Sequence, residues 1–521
     1  MRSPRKDLLL RVSVWVVVCW LLLPLAFVGL PGTSPPIEGE TASPPLNWSA
    51  FAASVAVAAA AAVLAVAIGT AAALLLGLTD FPARPLWGTL LLFPFLAPST
   101  VWGLAHLYCY GPGGVLDRWW GEAWRAPFGE MFRGGYLGTT LVLAEIQAPL
   151  AMLIVIRGVH RLSSVGLDAA RLNASRWGIA RWLCGALRLE LASSLLLAFA
   201  LSLGNLAVPI VLQCPLFTTE IYLRSANYLD RIGALVASLP LTALAVAAAM
   251  CVALLDRQTD YSASQSGSTA PWKLGSTRWL IVPLLLGYLL LTAGLPLAAL
   301  MHEAGSLELF LQVARDARPE TENTLAIALG ATLLAGMAGA MVGAWSARGS
   351  RLVDAAVMIP LGTPALVLAL AYSRFYNRTW PVDLAWLGDG SLLVSLGLAA
   401  RCWPFASRMM AAGCRRQSPD WNESAEIAGL HLFQRWRHIT WPLMADYAAA
   451  AGVICFALSA GDVELSQVLC APGSGTLALH LLAVLHFDPH VAASLALLQL
   501  AVTAAPVLVY FLVCNRWPQV V

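Results

Sequence analysis

The sequence predicts an all-α polytopic membrane protein with about twelve transmembrane helices, arranged as two tandem six-helix halves, and three observations lead there. Of the 521 residues, 59% are hydrophobic and only 12% charged, with a mean hydropathy of +0.72; soluble domains carry roughly 25% charged and 45–50% apolar residues. Apolar runs long enough to cross a bilayer, about 20 residues each, recur along the whole chain. Short motifs of the first half return in the second in the same order.

The runs lie at about 10–30, 49–77, 85–109, 136–157, 190–213, 232–255, 279–301, 322–345, 352–372, 391–410, 446–469 and 491–514. The basic start "MRSPRK" precedes an apolar run too long for a signal-peptide core and followed by no small-residue cleavage site, so the first run reads as a retained helix. With that end inside, most of the 32 Lys and Arg residues fall in cytoplasmic segments, which places both termini in the cytoplasm. The stretch "DRQTDYSASQSGSTAPWKLGSTR", residues 256–278, reads as a Ser/Gly-rich cytoplasmic linker. It separates a first half over 1–255 (core 49–255) from a second over 279–521 (core 320–514). Ten cysteines stand singly with no C-x-x-C, which suggests neither a zinc site nor a redox pair. Cys214 and Cys470 both fall near outer helix ends, where a disulfide is an option.

The repeat is the most informative feature. "FALSLGN" at 199–205 returns as "FALSAGD" at 456–462, and "FPFLAPS" around Pro94 and Pro98 as "IPLGTPA" around Pro360 and Pro364. "EIQAPLA" at Pro149 matches "RCWPFAS" at Pro404, and "LDAARLNA" at Asp168 matches "NESAEIAG" at Glu423. Six spans per half keep the two copies in one orientation, related by an axis along the membrane normal, with a pathway expected between them. The prolines at 94, 98, 360 and 364 are expected to kink or interrupt their spans.

Each half also carries a long polar insertion, at 157–189 and 411–444. In the second, Asp420 and Glu423 have capping-box spacing and open a short helix through Ala425 and Ala428, and Gly429 suits its C-terminus. Phe433, Trp436 and Ile439 recur at helical spacing as one apolar stripe, and Pro442 suits the first turn of the next helix. The stripe fits either a helix lying on lipid headgroups or a docking element for a partner's groove.

The pattern E-x-A-x-x-x-G followed by Ile and Pro (Glu423, Ala425, Gly429, Ile439 and Pro442) resembles the EAA loop of ABC importer permeases. The doubled arrangement resembles the fused permeases of ferric-iron and thiamine uptake systems, over nearly the whole chain. This implies a type I ABC importer permease fold in a bacterial inner membrane. It also implies loops that seat in ATP-binding cassette ATPase subunits, two copies of them, and an extracytoplasmic solute-binding protein that delivers substrate. The substrate it implies is ferric iron first, and thiamine or another small solute second. The first copy departs from the pattern: Asp168, Ala169 and Ala170 keep the acid and alanines, but Ala174 stands where glycine is expected, and no later Ile and Pro are recognisable.

The chain offers no engine of its own. A phosphate-binding loop needs a lysine beside its glycine, and the two lysines, Lys6 and Lys273, sit in "SPRKDL" and "APWKLG". ATP hydrolysis is therefore expected on a separate subunit; no catalytic constellation, cofactor or nucleic-acid partner is called for, and lipid is the medium. Charged residues inside spans are functional candidates by default. Glu145 and Arg401 fall at nearly matching places before the shared prolines, and either pair across the interface or line the pathway separately. Asp462 and Glu464, with Asn205 at the equivalent place in the first half, either meet a cationic substrate or approach the outer surface. His480, His486 and His490 invite a metal reading, although Fe(III) prefers oxygen ligands and the loop reads equally well as ordinary. An ion-coupled secondary transporter using the intramembrane acids is the rival class.

Overall fold

The computed structural model describes residues 4–26, 45–125, 128–173, 175–228, 230–261, 272–376, 390–417, 421, 424–425, 427–471 and 473–514. Among these, seven helices are long and apolar enough to cross a membrane, and ten spans result when three sharply bent helix pairs each count as one. Two of the twelve expected runs fall short of that measure. The first has a described apolar part of only Arg11–Leu25, and the tenth, Ser391–Arg415, carries three arginines.

Within each half the tightest helix pair is built on small residues, which let backbones approach where lipid supplies no hydrophobic drive. Trp48–Leu78 crosses Tyr136–Val159 at Gly69, where an added Cβ would stand 2.5 Å from the Ala148 carbonyl oxygen. Arg318–Ser346 crosses Ser391–Arg415 at Gly339, where it would stand 2.5 Å from the Ala406 Cβ. Gly339→Leu is therefore expected to destabilise the chain by about 1–3 kcal/mol through overpacking. Gly336→Leu, on the same helix with nothing within 4 Å of an added Cβ, should leave the melting transition in detergent unchanged. Equal melting of the two variants would refute this packing account.

The prolines sit where spans break. Arg84–Leu96 and the helix beginning at Ser99 meet at 96°, and Arg351–Gly362 and Ala365–Tyr376 meet at 101°. Pro98 and Pro364 occupy the breaks, and Pro94 and Pro360 lie inside the preceding helices. Proline cannot donate to the helix ladder and its ring clashes with the preceding turn. The free ends are re-satisfied locally, the Ala97 amide donating to Phe93 and the Thr363 amide to Ile359, each at 3.0 Å.

The fifth and eleventh runs end earlier than expected. Arg188–Leu203 stops at Gly204 and Trp441–Ala460 at Gly461, and the chain resumes as the short helices Ala207–Val211 and Ser466–Leu469. Hydropathy runs straight through both points. At each point a glycine is followed by an Asn or Asp whose side chain accepts from the amide three residues on.

The leading helix of each half reaches the other half. Val14, Val18 and Leu21 of Pro4–Ala26 are buried in a cluster of second-half side chains, and the Tyr372 hydroxyl donates to the Leu21 carbonyl at 2.9 Å. The run from Arg278 to Glu303 also reaches the first half: the Tyr110 hydroxyl donates to the Leu291 carbonyl, and Arg118 Nη2 lies 2.8 Å from Glu303 Oε2. The first helix thus packs on the second half, while the run from Arg278 to Glu303 lies between Ser99–Tyr110 of the first half and Pro489–Cys514 of its own.

Candidate functional site: a cavity between the halves and two polar loops

The breaks at Gly204 and Gly461 meet the breaks at Pro364 and Pro98 across the interface. An added Cβ on Gly204 would stand 3.3 Å from Pro364 Cα, and one on Gly461 would stand 3.0 Å from Pro98 Cβ. Both distances are tighter than ordinary Cβ contacts, so a side chain at either place would have to push the facing proline back, which favours the glycine in each copy of the motif. Next to each glycine the caps are alike: Asn205 Oδ1 accepts from the Val208 amide at 3.0 Å, and Asp462 Oδ1 from the Leu465 amide at 2.7 Å.

Beside the Pro98–Gly461 contact lies a cavity of about 110 Å³, lined from the first half by Pro98, Ser99, Gln147 and Asn205 and from the second by Arg401, Cys402, Asp462 and Glu464, among others. Glu464 ties the halves directly. Its Oε1 accepts from the Leu206 and Ala207 amides at 2.7 and 3.2 Å, at the start of the short first-half helix, where the unpaired amides favour an anion. Arg401 Nε lies 3.8 Å from Asp462 Oδ2, and Arg401 Nη2 lies 3.8 Å from Glu464 Oε2. These are ion pairs too long for hydrogen bonds, so the guanidinium is held electrostatically at the cavity wall. The side chains of Asp462 and Glu464 are only 7% and 5% exposed, so both carboxylates are turned into the protein rather than out to its surroundings.

Glu145 lies elsewhere and does not pair with Arg401. Its Oε2 is 2.9 Å from His106 Nε2 and accepts from Trp102 Nε1 at 3.3 Å, all within the first half. The reason is register. Aligned on Pro149 and Pro404, Arg401 corresponds to Ile146 and Glu145 to Ala400; one residue turns a helix by about 100°, so the two charges leave on different faces. Gln147 and Cys402, the next pair in that register, both line the cavity. Sequence reasoning passed over them because neither is charged.

The second polar loop is described only in part. Glu423, with Asp420, lies outside the described residues, so the capping box has no structural account. Ala425 is buried, Gly429 has φ +72°, and the Leu430 amide donates to the Ala425 carbonyl at 3.0 Å, a helix end closed by a left-handed glycine. Phe433 and Trp436 stack at 5.9 Å between centroids, and Trp436 meets Trp441 at 5.6 Å. The stripe is not one regular helix, because Trp436–Thr440 widens to a π-turn before Trp441–Ala460, with Pro442 in that helix's first turn. Trp421, Ala425, Leu430, Ile439 and Pro442 line a shallow groove of about 550 Å³. Ile427 and Phe433 of the same loop are exposed.

In the first loop, Ser164–Asn173 carries Asp168, Ala169 and Ala170, and Arg176–Ala186 follows. Ala174 lies outside the described residues. Asp168 Oδ1 is 3.1 Å from Arg171 Nη1, and Val165, Leu172 and Trp177 present apolar surface to the outside.

The remaining candidates separate. His480 lies 3.6 Å from Glu320, and His490 Nδ1 lies 2.6 Å from the Glu303 carbonyl oxygen. Among the described residues no three His, Cys, Asp or Glu side chains are grouped as metal ligands, so the histidine cluster does not form. Cys214 and Cys470 are both free thiols.

Comparison with known proteins agrees with the better-patterned half. Residues 333–515 match the family of binding-protein-dependent transport system inner membrane components. A stretch of 159 residues is 26% identical to the trehalose/maltose transport system permease protein MalF of Thermococcus litoralis, covering 27% of this chain and 53% of that relative. The chain thus spans about half the length of the curated relative it matches. Both matches support a permease component of a binding-protein-dependent import system.

Proposed function

We propose that this chain forms the translocation pathway of an ATP-driven importer at the plasma membrane of a bacterium, with both polar loops on the cytoplasmic side. Substrate arrives from a solute-binding protein outside, and separate ATP-binding cassette subunits, one per loop, supply the energy. The observation that carries the reading is the polar cavity between the halves, beside two glycine–proline contacts that repeat across the interface. A pathway between two halves opens to alternate sides when the halves rock about such contacts, and the loops are where an ATPase would grip each half.

For the substrate, the fused arrangement favours ferric iron, whereas the matched relative is named for trehalose and maltose. The cavity favours a small polar organic solute over bare Fe(III). Of its two buried carboxylates, Glu464 is engaged by backbone amides and Arg401 offsets one negative charge, leaving few oxygen ligands for a trivalent ion. The ligand carried by the binding protein, identified by mass spectrometry, names the solute to test. Its uptake into proteoliposomes holding the complete complex should stop with vanadate and persist with an uncoupler. The reverse pattern would establish the ion-coupled class instead.

A further inference from the structure

We propose that the end of the inter-half linker, Trp272 to Leu274, is a positioning element for the first polar loop, an inference that rests on the importer reading above. The linker end is fastened to the turn after Trp48–Leu78. The Trp272 amide donates to the Leu78 carbonyl at 2.7 Å, the Asp80 amide donates to the Trp272 carbonyl at 3.0 Å, and the Leu274 amide donates to Asp80 Oδ1 at 2.8 Å. From that anchor the Trp272 ring reaches the loop, with the Arg171 guanidinium carbon 4.9 Å from its centroid, a cation–π contact. Arg171 in turn holds Asp168, the acid of the loop's signature, at 3.1 Å. Trp272 and Leu274 also pack against the apolar cluster that buries Leu167, Leu183 and Leu187 of the same loop.

The arrangement answers a deficit in the first copy. The second loop fixes its shape from within, through Gly429 and Pro442. The first has neither residue at the matching places, and its helix Ser164–Asn173 is braced from outside by the linker. A linker that only spans a distance needs no ladder hydrogen bonds and no ring stacked on a loop arginine. On this view the connector transmits force: pressure on the first loop passes through Arg171 and Trp272 into the end of Trp48–Leu78.

The test uses the full chain with the ATPase that copurifies with it, after replacing the exposed Cys19, Cys184 and Cys251 by serine. Cysteines introduced at Trp177 in the first loop and at Phe433 in the second, both well exposed, are cross-linked to the ATPase in separate preparations. Trp272→Ala is expected to lower the yield at 177 about threefold or more and leave that at 433 unchanged. Trp272→Phe, which keeps a ring, should restore it. Arg171→Gln, which leaves the linker ladder in place, should reproduce the selective loss and serves where Trp272→Ala fails to assemble. Unchanged yields at both positions, or an equal fall at both, would overturn the inference. No cross-linking at either position in the otherwise unmodified chain overturns the importer reading itself, and this inference with it.

Discussion

Replacing Glu464 with alanine is expected to abolish uptake and to cost the folded chain about 3–5 kcal/mol, the usual penalty for breaking a buried ion pair from one side. Two losses combine. The Leu206 and Ala207 amides, now served by Oε1 at 2.7 and 3.2 Å, are left without an acceptor, at about 1–3 kcal/mol for a buried donor stranded in this way. Arg401 loses one of the two carboxylates that hold it. Glu464→Gln separates these effects, because its amide oxygen still accepts from both backbone groups while the charge is gone. It should melt between the parent and Glu464→Ala, because the backbone contacts return while the pair with Arg401 does not, and transport poorly, since Arg401 then faces Asp462 alone. Thermal unfolding of the purified chain and uptake of the binding protein's ligand are the two measurements. Parent-like melting of Glu464→Ala would show that the inter-half contact does not hold the halves together. Full uptake by Glu464→Gln would remove the Arg401–Glu464 pair from the transport cycle.

Much of the architecture was legible because membrane insertion writes itself into composition. The apolar runs, the repeat and the prolines at 94, 98, 360 and 364 each mark a described helix or break. The runs misjudged were those where a local polar signal overrides hydropathy. Gly204–Asn205 and Gly461–Asp462 stop helices inside apolar segments, and the glycine followed by a capping Asn or Asp was there to be read. The packing of the first helix on the second half was not legible at all, since lipid-facing and partner-facing leucines look alike in a single sequence. At the site, the repeat located Arg401 and Asp462 but left open whether Arg401 pairs with Glu145, and in the structure it lies nearest Asp462 and Glu464. Matching charges by proximity to a proline ignores helix phase, and counting from Pro149 and Pro404 separates Glu145 from Arg401 by one residue.

Gly429→Val is expected to lower uptake about tenfold without unfolding the membrane helices, and the reason is conformational rather than steric. Gly429 has φ +72° and an added Cβ would meet nothing within 4 Å, so space is available. The left-handed backbone is what valine resists, at about 1–2 kcal/mol, and β-branched residues tolerate it least. That strain is relieved by opening the helix end closed through the Leu430–Ala425 hydrogen bond. The surface bearing Ile427 and Phe433 then no longer presents a fixed shape to the ATPase. Asparagine visits this conformation readily, so Gly429→Asn should keep most of the uptake while adding more atoms than alanine would. Glu423→Lys should fail by another route, reversing the charge at the acid of the signature. Copurification of the ATPase, measured beside uptake at matched expression, reads docking directly. Normal copurification with both Gly429→Val and Glu423→Lys would disconnect this loop from the ATPase, and equal loss in Gly429→Asn and Gly429→Val would show that bulk rather than backbone conformation governs the contact. Because the first loop has its brace in the linker rather than a glycine of its own, the two ATPase contacts should be unequal, with the Gly429 loop the more sensitive to substitution within its own residues.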